Sequence, residues 1–153
     1  MMPPSMPPQL PLVLIVEDDD AVSGFLAKAV ETGGWLAIAA RTGDEALRCL
    51  REHANVAVVL VDGLLPDMHG VRLAELILEE RATDRVGICF VSGALRDHQP
   101  ADAGVAALSK PLRLREFLDV VRDLLDWRAT AGDSVEERRA VVQRLGQGVL
   151  VGP

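Results

Sequence analysis

Val56-Ala57-Val58-Val59-Leu60-Val61-Asp62 is an unbroken apolar run, rich in valine and closed by a carboxylate. A run of this length reads as a strand buried on both faces, as in a parallel sheet. Other segments carry the same signature. Leu12 to Val16 leads into Glu17-Asp18-Asp19-Asp20, and Trp35 to Ala39 forms a second short strand. Val86 to Val91 leads into Ser92-Gly93, and the weaker Val105 to Ser109 leads into Lys110-Pro111. Between them, apolar residues recur at helical spacing. Val22, Phe25, Leu26, Ala29 and Val30 run up to the Gly33-Gly34 stop. A second helix starts at Thr42 or Gly43 and continues through Ala46, Leu47 and Leu50. Asp44 and Glu45 lie in its first turn, where the helix dipole favours them. Further helices run from about Val71 to Glu80 and from about Leu114 to Trp127.

Strands alternating with helices imply βαβ units, a parallel sheet and right-handed crossovers with helices on both faces. The expectation is an α/β chain, a flavodoxin-like (βα)5 doubly wound parallel five-stranded sheet of order 2-1-3-4-5. In such sheets ligands gather at the carboxyl ends of the strands. The unusual polar residues all fall there: Glu17 and Asp18 after strand one, Asp62 after three, Ser92 after four, Lys110 after five. Central strands one and three would bring three carboxylates together. Three such groups repel unless a cation lies among them, and oxygen-only ligands suit Mg²⁺ or Mn²⁺ rather than zinc.

Bulk properties narrow the function. The chain has 153 residues, 49% hydrophobic and 25% charged, with a formal net charge of −7. That is one folded domain with an acidic balance, which argues against DNA or RNA as the partner. Cys49 and Cys89 lie in apolar segments without metal-ligand spacing and read as free thiols of a reducing compartment. No apolar run approaches the roughly 20 residues needed to span a bilayer. The Pro-rich start reads as a flexible leader over residues 1–11 rather than a secretory signal, so the expected location is cytoplasmic. His53, His69 and His98 lie apart, without partner ligands at metal spacing.

The strings Leu14-Ile15-Val16-Glu17-Asp18-Asp19, Val59-Leu60-Val61-Asp62 leading to Leu65-Pro66-Asp67-Met68 and Gly70, Ser92-Gly93, and Lys110-Pro111 together resemble the signature of response regulator receiver domains, the CheY-like superfamily. The match covers about Leu12 to Trp127. It implies that Asp62 attacks a phosphohistidine or small phosphodonor and becomes an acyl phosphate. Glu17 and Asp18 would hold Mg²⁺, with Asp62 and the backbone carbonyl of Leu64 completing the protein ligands. Lys110 would offset charge on the phosphoryl oxygens and Ser92 would hydrogen-bond one of them. The Lys110-Pro111 bond resembles one the family usually keeps cis. The implied partners are a sensor histidine kinase or histidine phosphotransfer protein and a downstream protein, with a homodimer left open.

Several features depart from the family pattern. The stretch from Ser92 to Lys110 is short by roughly one helical turn and contains Pro100, so the fourth helix is expected to be short, irregular or mobile. The usual aromatic switch position is Ala107, and the chain has no Tyr. Phe90-Val91-Ser92-Gly93-Ala94 is loosely similar to the motif of receivers with a shortened fourth helix. Leu64 and Ala94, two residues beyond Asp62 and Ser92, cannot hydrogen-bond an attacking water, which predicts a long-lived phosphoryl state.

The expected organisation is a leader over 1–11, a receiver over 12–128 and a tail over 129–153. In the tail, Ser134-Val135-Glu136-Glu137-Arg138-Arg139 followed by Val141, Val142 and Leu145 reads as one capped amphipathic helix. It faintly resembles the first helix of the LuxR/FixJ-type DNA-binding domain, but without a complete helix-turn-helix the expectation is a dimerising or docking helix, or a frayed tail. A truncated regulator of that type and a phosphorylation-independent pseudo-receiver are therefore the alternative readings. An Asp-dependent hydrolase is disfavoured, because those enzymes resemble Asp-x-Asp after the first strand. No nucleophile-base-orienter set is present, so the expected activity is limited to the chain's own phosphorylation and dephosphorylation.

Overall fold

The computed structural model describes residues 10–80, 85–95, 98–130 and 132–148. The leader read over 1–11 lies almost wholly outside them. Six strands, β1 (Leu12–Val16), β2 (Leu36–Ala40), β3 (Val56–Asp62), β4 (Gly87–Ser92), β5 (Gln99–Asp102) and β6 (Val105–Ser109), form one sheet of order β2-β1-β3-β4-β6-β5. The pairs from β2 to β6 are parallel. These five strands have the expected α/β order, and β5 adds an antiparallel strand at one edge.

Helices α1 (Asp20–Thr32) and α4 (Leu114–Ala129) cover one face, and α2 (Gly43–Glu52), α3 (Gly70–Glu80) and α5 (Val135–Gly148) cover the other. Period-two alternation divides the strands between the two cores. Val13 and Ile15 of β1 join Leu26, Val30, Phe117 and Val121, whereas Leu14 and Val16 join Leu47, Leu73 and Ile77. Asp19 caps α1 by accepting from the Ala21 and Val22 amides at 2.9 and 3.0 Å, the helix-cap role that a short acidic run commonly has.

The expected fourth helix is replaced. Among the described residues between β4 and β6 lies β5, joined to β6 by a two-residue turn in which Ala103 (φ 52°) and Gly104 (φ 73°) both adopt positive φ. That is the backbone twist tight hairpins favour. A Cβ on Gly104 would also strike the Trp127 ring, so the position excludes side chains twice over. Pro100 is tolerated because β5 is an edge strand.

Helix α5 covers the sheet beside α3. Val141, Val142 and Leu145 are buried in one cluster with Ile88, Phe90, Leu95, Val105 and Ala107. Its first turns are held by Arg138, itself 4% exposed, whose guanidinium donates to the carbonyls of Ala103, Val86 and Gly104. The same group lies 4.5 Å from the Trp127 ring centroid. Burial lowers its pKa to about 10, which leaves it charged at neutral pH.

Candidate functional site

Glu17 and Asp18 directly follow β1, Asp62 ends β3, Ser92 ends β4 and Lys110 follows β6, so all five lie at the carboxyl edge of the parallel strands. Carboxylate oxygens of Glu17, Asp18 and Asp62 lie within 4.8 Å of one another. The Lys110 Nζ sits 3.7 Å from Asp62 Oδ1 and 3.8 Å from Glu17 Oε2. The Lys110 amide donates to the Ser92 carbonyl at 3.0 Å, which fixes where the lysine leaves the sheet, and the Lys110-Pro111 bond is cis.

The electrostatics are those of a site crowded with anions. Glu17 is 4% exposed; its Oε1 accepts from the Asp19 amide at 3.3 Å, and its Oε2 has no hydrogen-bond partner. Burial first, and the Asp62 charge second, push its pKa up to about 7, against the opposing pull of Lys110. An orphaned buried oxygen beside two further carboxylates is a donor set that fits a hard divalent cation. Glu17, Asp18 and Asp62 are the side chains that could hold one.

Ser92 is buried, and its Oγ accepts from the Ala94 amide at 3.1 Å, leaving the hydroxyl proton available to another acceptor. A Cβ on Gly63 would stand 3.3 Å from that Oγ, so a glycine here gives the hydroxyl room. Leu64 is 70% exposed, and its amide approaches Asp62 Oδ1 at 3.4 Å. The loop from Gly63 to Gly70 is internally bonded: Gly70 donates to the Gly63 carbonyl at 3.0 Å and Leu65 to Met68 at 3.1 Å. A Cβ on Gly70 would collide with the Asp62 carbonyl oxygen.

Two contacts were not legible beforehand. The Asp67 carboxylate leaves its own loop to accept from the Gly43 and Asp44 amides of α2, at 2.9 and 3.0 Å. His98 pairs with Glu116 of α4, and its Nδ1 accepts from the Ser109 amide at 3.3 Å, which gives it a structural role at the start of β5. No short-range pattern could have revealed either, because each joins residues far apart in sequence. Cys49 and Cys89 are free thiols, as read.

Beside Lys110 lies a cavity of about 350 Å³, lined by Ala21, Val22, Phe25, Pro111 and Leu112. Among the described residues no helix is long and apolar enough to cross a membrane.

Comparison with known proteins agrees with this layout. The family model of the response regulator receiver domain matches residues 13–122. The sensor kinase CckA of Brucella abortus (strain 2308) is 34% identical over 120 residues, 74% of this chain but only 12% of that protein. The chain thus corresponds to a small part of that relative's length. The response regulator receiver protein CpdR of the same strain is 31% identical over 120 residues, 74% of this chain and 95% of CpdR. The crystal structure of a CheY-like receiver domain protein from Methanospirillum hungatei JF-1 matches with a TM-score of 0.67 and 27% identity, covering 79% of this chain and 98% of that one.

Proposed function

Because the chain belongs to the response regulator receiver family, we propose that it is a phosphoacceptor of a two-component system or phosphorelay, with Asp62 as the acceptor. One observation carries the reading: the Lys110 ammonium lies within 4 Å of both Asp62 and Glu17, while Asp18 completes the carboxylate cluster. An Asp62 carboxylate oxygen attacks the phosphorus of a phosphohistidine. The phosphorus–nitrogen bond breaks, the imidazole leaves, and an acyl phosphate remains on Asp62.

Lys110 meets the negative charge on the phosphoryl oxygens, and the Ser92 hydroxyl donates to one of them. Such preorganised charge is the main catalytic requirement of phosphoryl transfer. Glu17, Asp18 and Asp62, with the Leu64 backbone carbonyl, would hold Mg²⁺ or Mn²⁺. A bound divalent cation supplies further charge neutralisation at the phosphoryl group.

The phosphodonor is a sensor histidine kinase or a histidine phosphotransfer protein in the cytoplasm. The apolar patch of Val22, Phe25, Pro111 and Leu112 beside Lys110 supports docking of such a protein, since Phe25 is 46% exposed. The output is a change in protein–protein contacts, and the chain turns over no external substrate.

The test is incubation of the purified chain with acetyl phosphate or phosphoramidate, with and without Mg²⁺, read by intact mass beside Asp62→Asn. A Mg²⁺-dependent gain of one phosphoryl group, absent in the variant, is the expected result. No gain with these donors or with a phosphorylated histidine protein would make the chain a phosphorylation-independent interaction module.

A further inference from the structure

The first three amides within α2 all donate to side chains, two of them to a residue of a distant loop. A helix leaves its first four amides without intrahelical partners. Here the first regular bond of the helix runs from the Ala46 amide to the Thr42 carbonyl at 3.0 Å, and among the amides before it Glu45 donates to Thr42 Oγ1 at 3.1 Å. Gly43 and Asp44 donate to the two oxygens of Asp67, which comes from the loop after Asp62. Met68 packs so closely over Gly43 that a Cβ there would collide with its side chain. Asp67 is exposed, yet both of its oxygens are engaged.

The same helix end reaches the other acidic loop. The Glu17 amide donates to the Ala40 carbonyl at 3.0 Å, and the Arg41 guanidinium pairs with Asp20. The β2–α2 turn is therefore bonded on one side to the loop carrying Glu17 and Asp18. On the other it is bonded to the loop carrying Asp62 and Leu64. That second loop is stiff: Gly70 to Gly63, Leu65 to Met68 and the Leu64–His69 bridge make it a small hairpin. A pull at Asp67 is carried to Gly63 and Leu64.

We infer that Asp67 is a positioning residue for the cation site, strapping the Asp62 loop to the amino end of α2 so that the two carboxylate-bearing loops keep a fixed separation. The inference rests on the cation reading proposed above. A group that orients ligands without touching the ion typically changes metal affinity by about 10–100-fold when removed. Thr42 provides the comparison, because its hydroxyl caps the same helix end through the Glu45 amide of α2 itself.

The experiment is a titration of the full chain, labelled with nitrogen-15, with Mg²⁺ alone. Wild type, Asp67→Ala, Asp67→Asn and Thr42→Ala are followed by amide shifts, amide hydrogen exchange and melting temperature. Asp67→Ala is expected to need about tenfold more Mg²⁺ for half-saturation, at the low end of that range, and to lose exchange protection at Gly43 and Asp44. Asp67→Asn, which keeps one acceptor oxygen, falls between it and wild type and carries the comparison if the alanine variant does not fold. Thr42→Ala melts lower but binds Mg²⁺ as wild type does. Equal affinity in wild type and the Asp67 variants overturns the inference, and so does an equal loss in Thr42→Ala. A wild-type chain that takes up no Mg²⁺ removes the cation reading itself, and this inference with it.

Discussion

Lys110 Nζ lies 3.7 Å from Asp62 Oδ1 although β4 runs between β3, which ends at Asp62, and β6, which Lys110 follows. The lysine side chain spans that gap, and its ammonium also faces Glu17. It is a cation the chain itself supplies to a cluster of carboxylates. Lys110→Met is expected to slow phosphoryl uptake from acetyl phosphate by about 100-fold or more, the usual effect of deleting one preorganised charge partner. Lys110→Arg does not restore the rate, because a planar guanidinium is not a compact point charge. Intact-mass time courses check this, and wild-type rates in Lys110→Met would remove the lysine from the reaction.

The sequence was most legible where one strand announces itself and ends in a candidate site residue. Val56 to Asp62 and Leu12 to Val16 needed only their apolar runs and the acids that follow, and the strand-end rule then placed Ser92 and Lys110 beside them. β5 was illegible for a physical reason. Gln99-Pro100-Ala101-Asp102 carries a proline that argues against a strand, and its turn puts Ala103 in a region that few non-glycine residues adopt. The tail was readable as a helix but not as a cover for the sheet, since Val142 joins the cluster of Phe90 and Ala107 only after the chain has folded back. Ala107 is a small residue at the aromatic switch position. In the structure it is fully buried, in the cluster that α5 closes.

Arg138 is expected to hold α5 on the sheet. Its replacement by Met keeps an apolar stem but leaves the Ala103 and Val86 carbonyls without this donor and ends the stacking on Trp127. Hydrogen bonds from a buried charged donor and a desolvated cation–π contact together predict a loss of about 2–4 kcal/mol. Urea unfolding of Arg138→Met against wild type measures it. A loss within the roughly 0.5 kcal/mol of ordinary surface substitutions would mean that α5 is held by its apolar face alone.

Asp67 should leave a signature in acid. The hydrogen bond from the Gly43 amide holds its carboxyl below the usual carboxylate range, with the Asp44 amide acting in the same direction. A carboxyl depressed in the folded state contributes stability above its unfolded pKa of about 3.9 and loses it as the pH falls through the folded value. The stability gap between wild type and Asp67→Asn is therefore expected to be constant near neutrality and to close below about pH 4. Urea unfolding at a series of pH values from neutral to strongly acidic measures the gap, and one that persists unchanged into strong acid would contradict the assignment.

Leu64 is expected to govern how long the proposed switch stays on. Its side chain is 70% exposed beside Asp62, and Ala94 stands in the corresponding place beyond Ser92. Hydrolysis of an acyl phosphate needs a water aligned on phosphorus, and a side chain that accepts a proton or a hydrogen bond aligns it. Neither Leu nor Ala can. The phosphorylated wild type is expected to persist for hours after the donor is removed, in the presence of Mg²⁺. Leu64→Gln introduces an acceptor where the water must stand and is expected to shorten that lifetime by about tenfold, well below the 10²–10⁴-fold of a fully positioned general base. Leu64→Met keeps the bulk without a strong acceptor and leaves the lifetime unchanged. Decay followed by intact mass separates the cases: a wild-type lifetime of minutes, or equal decay in Leu64→Gln and Leu64→Met, would show that water is aligned by something other than residue 64.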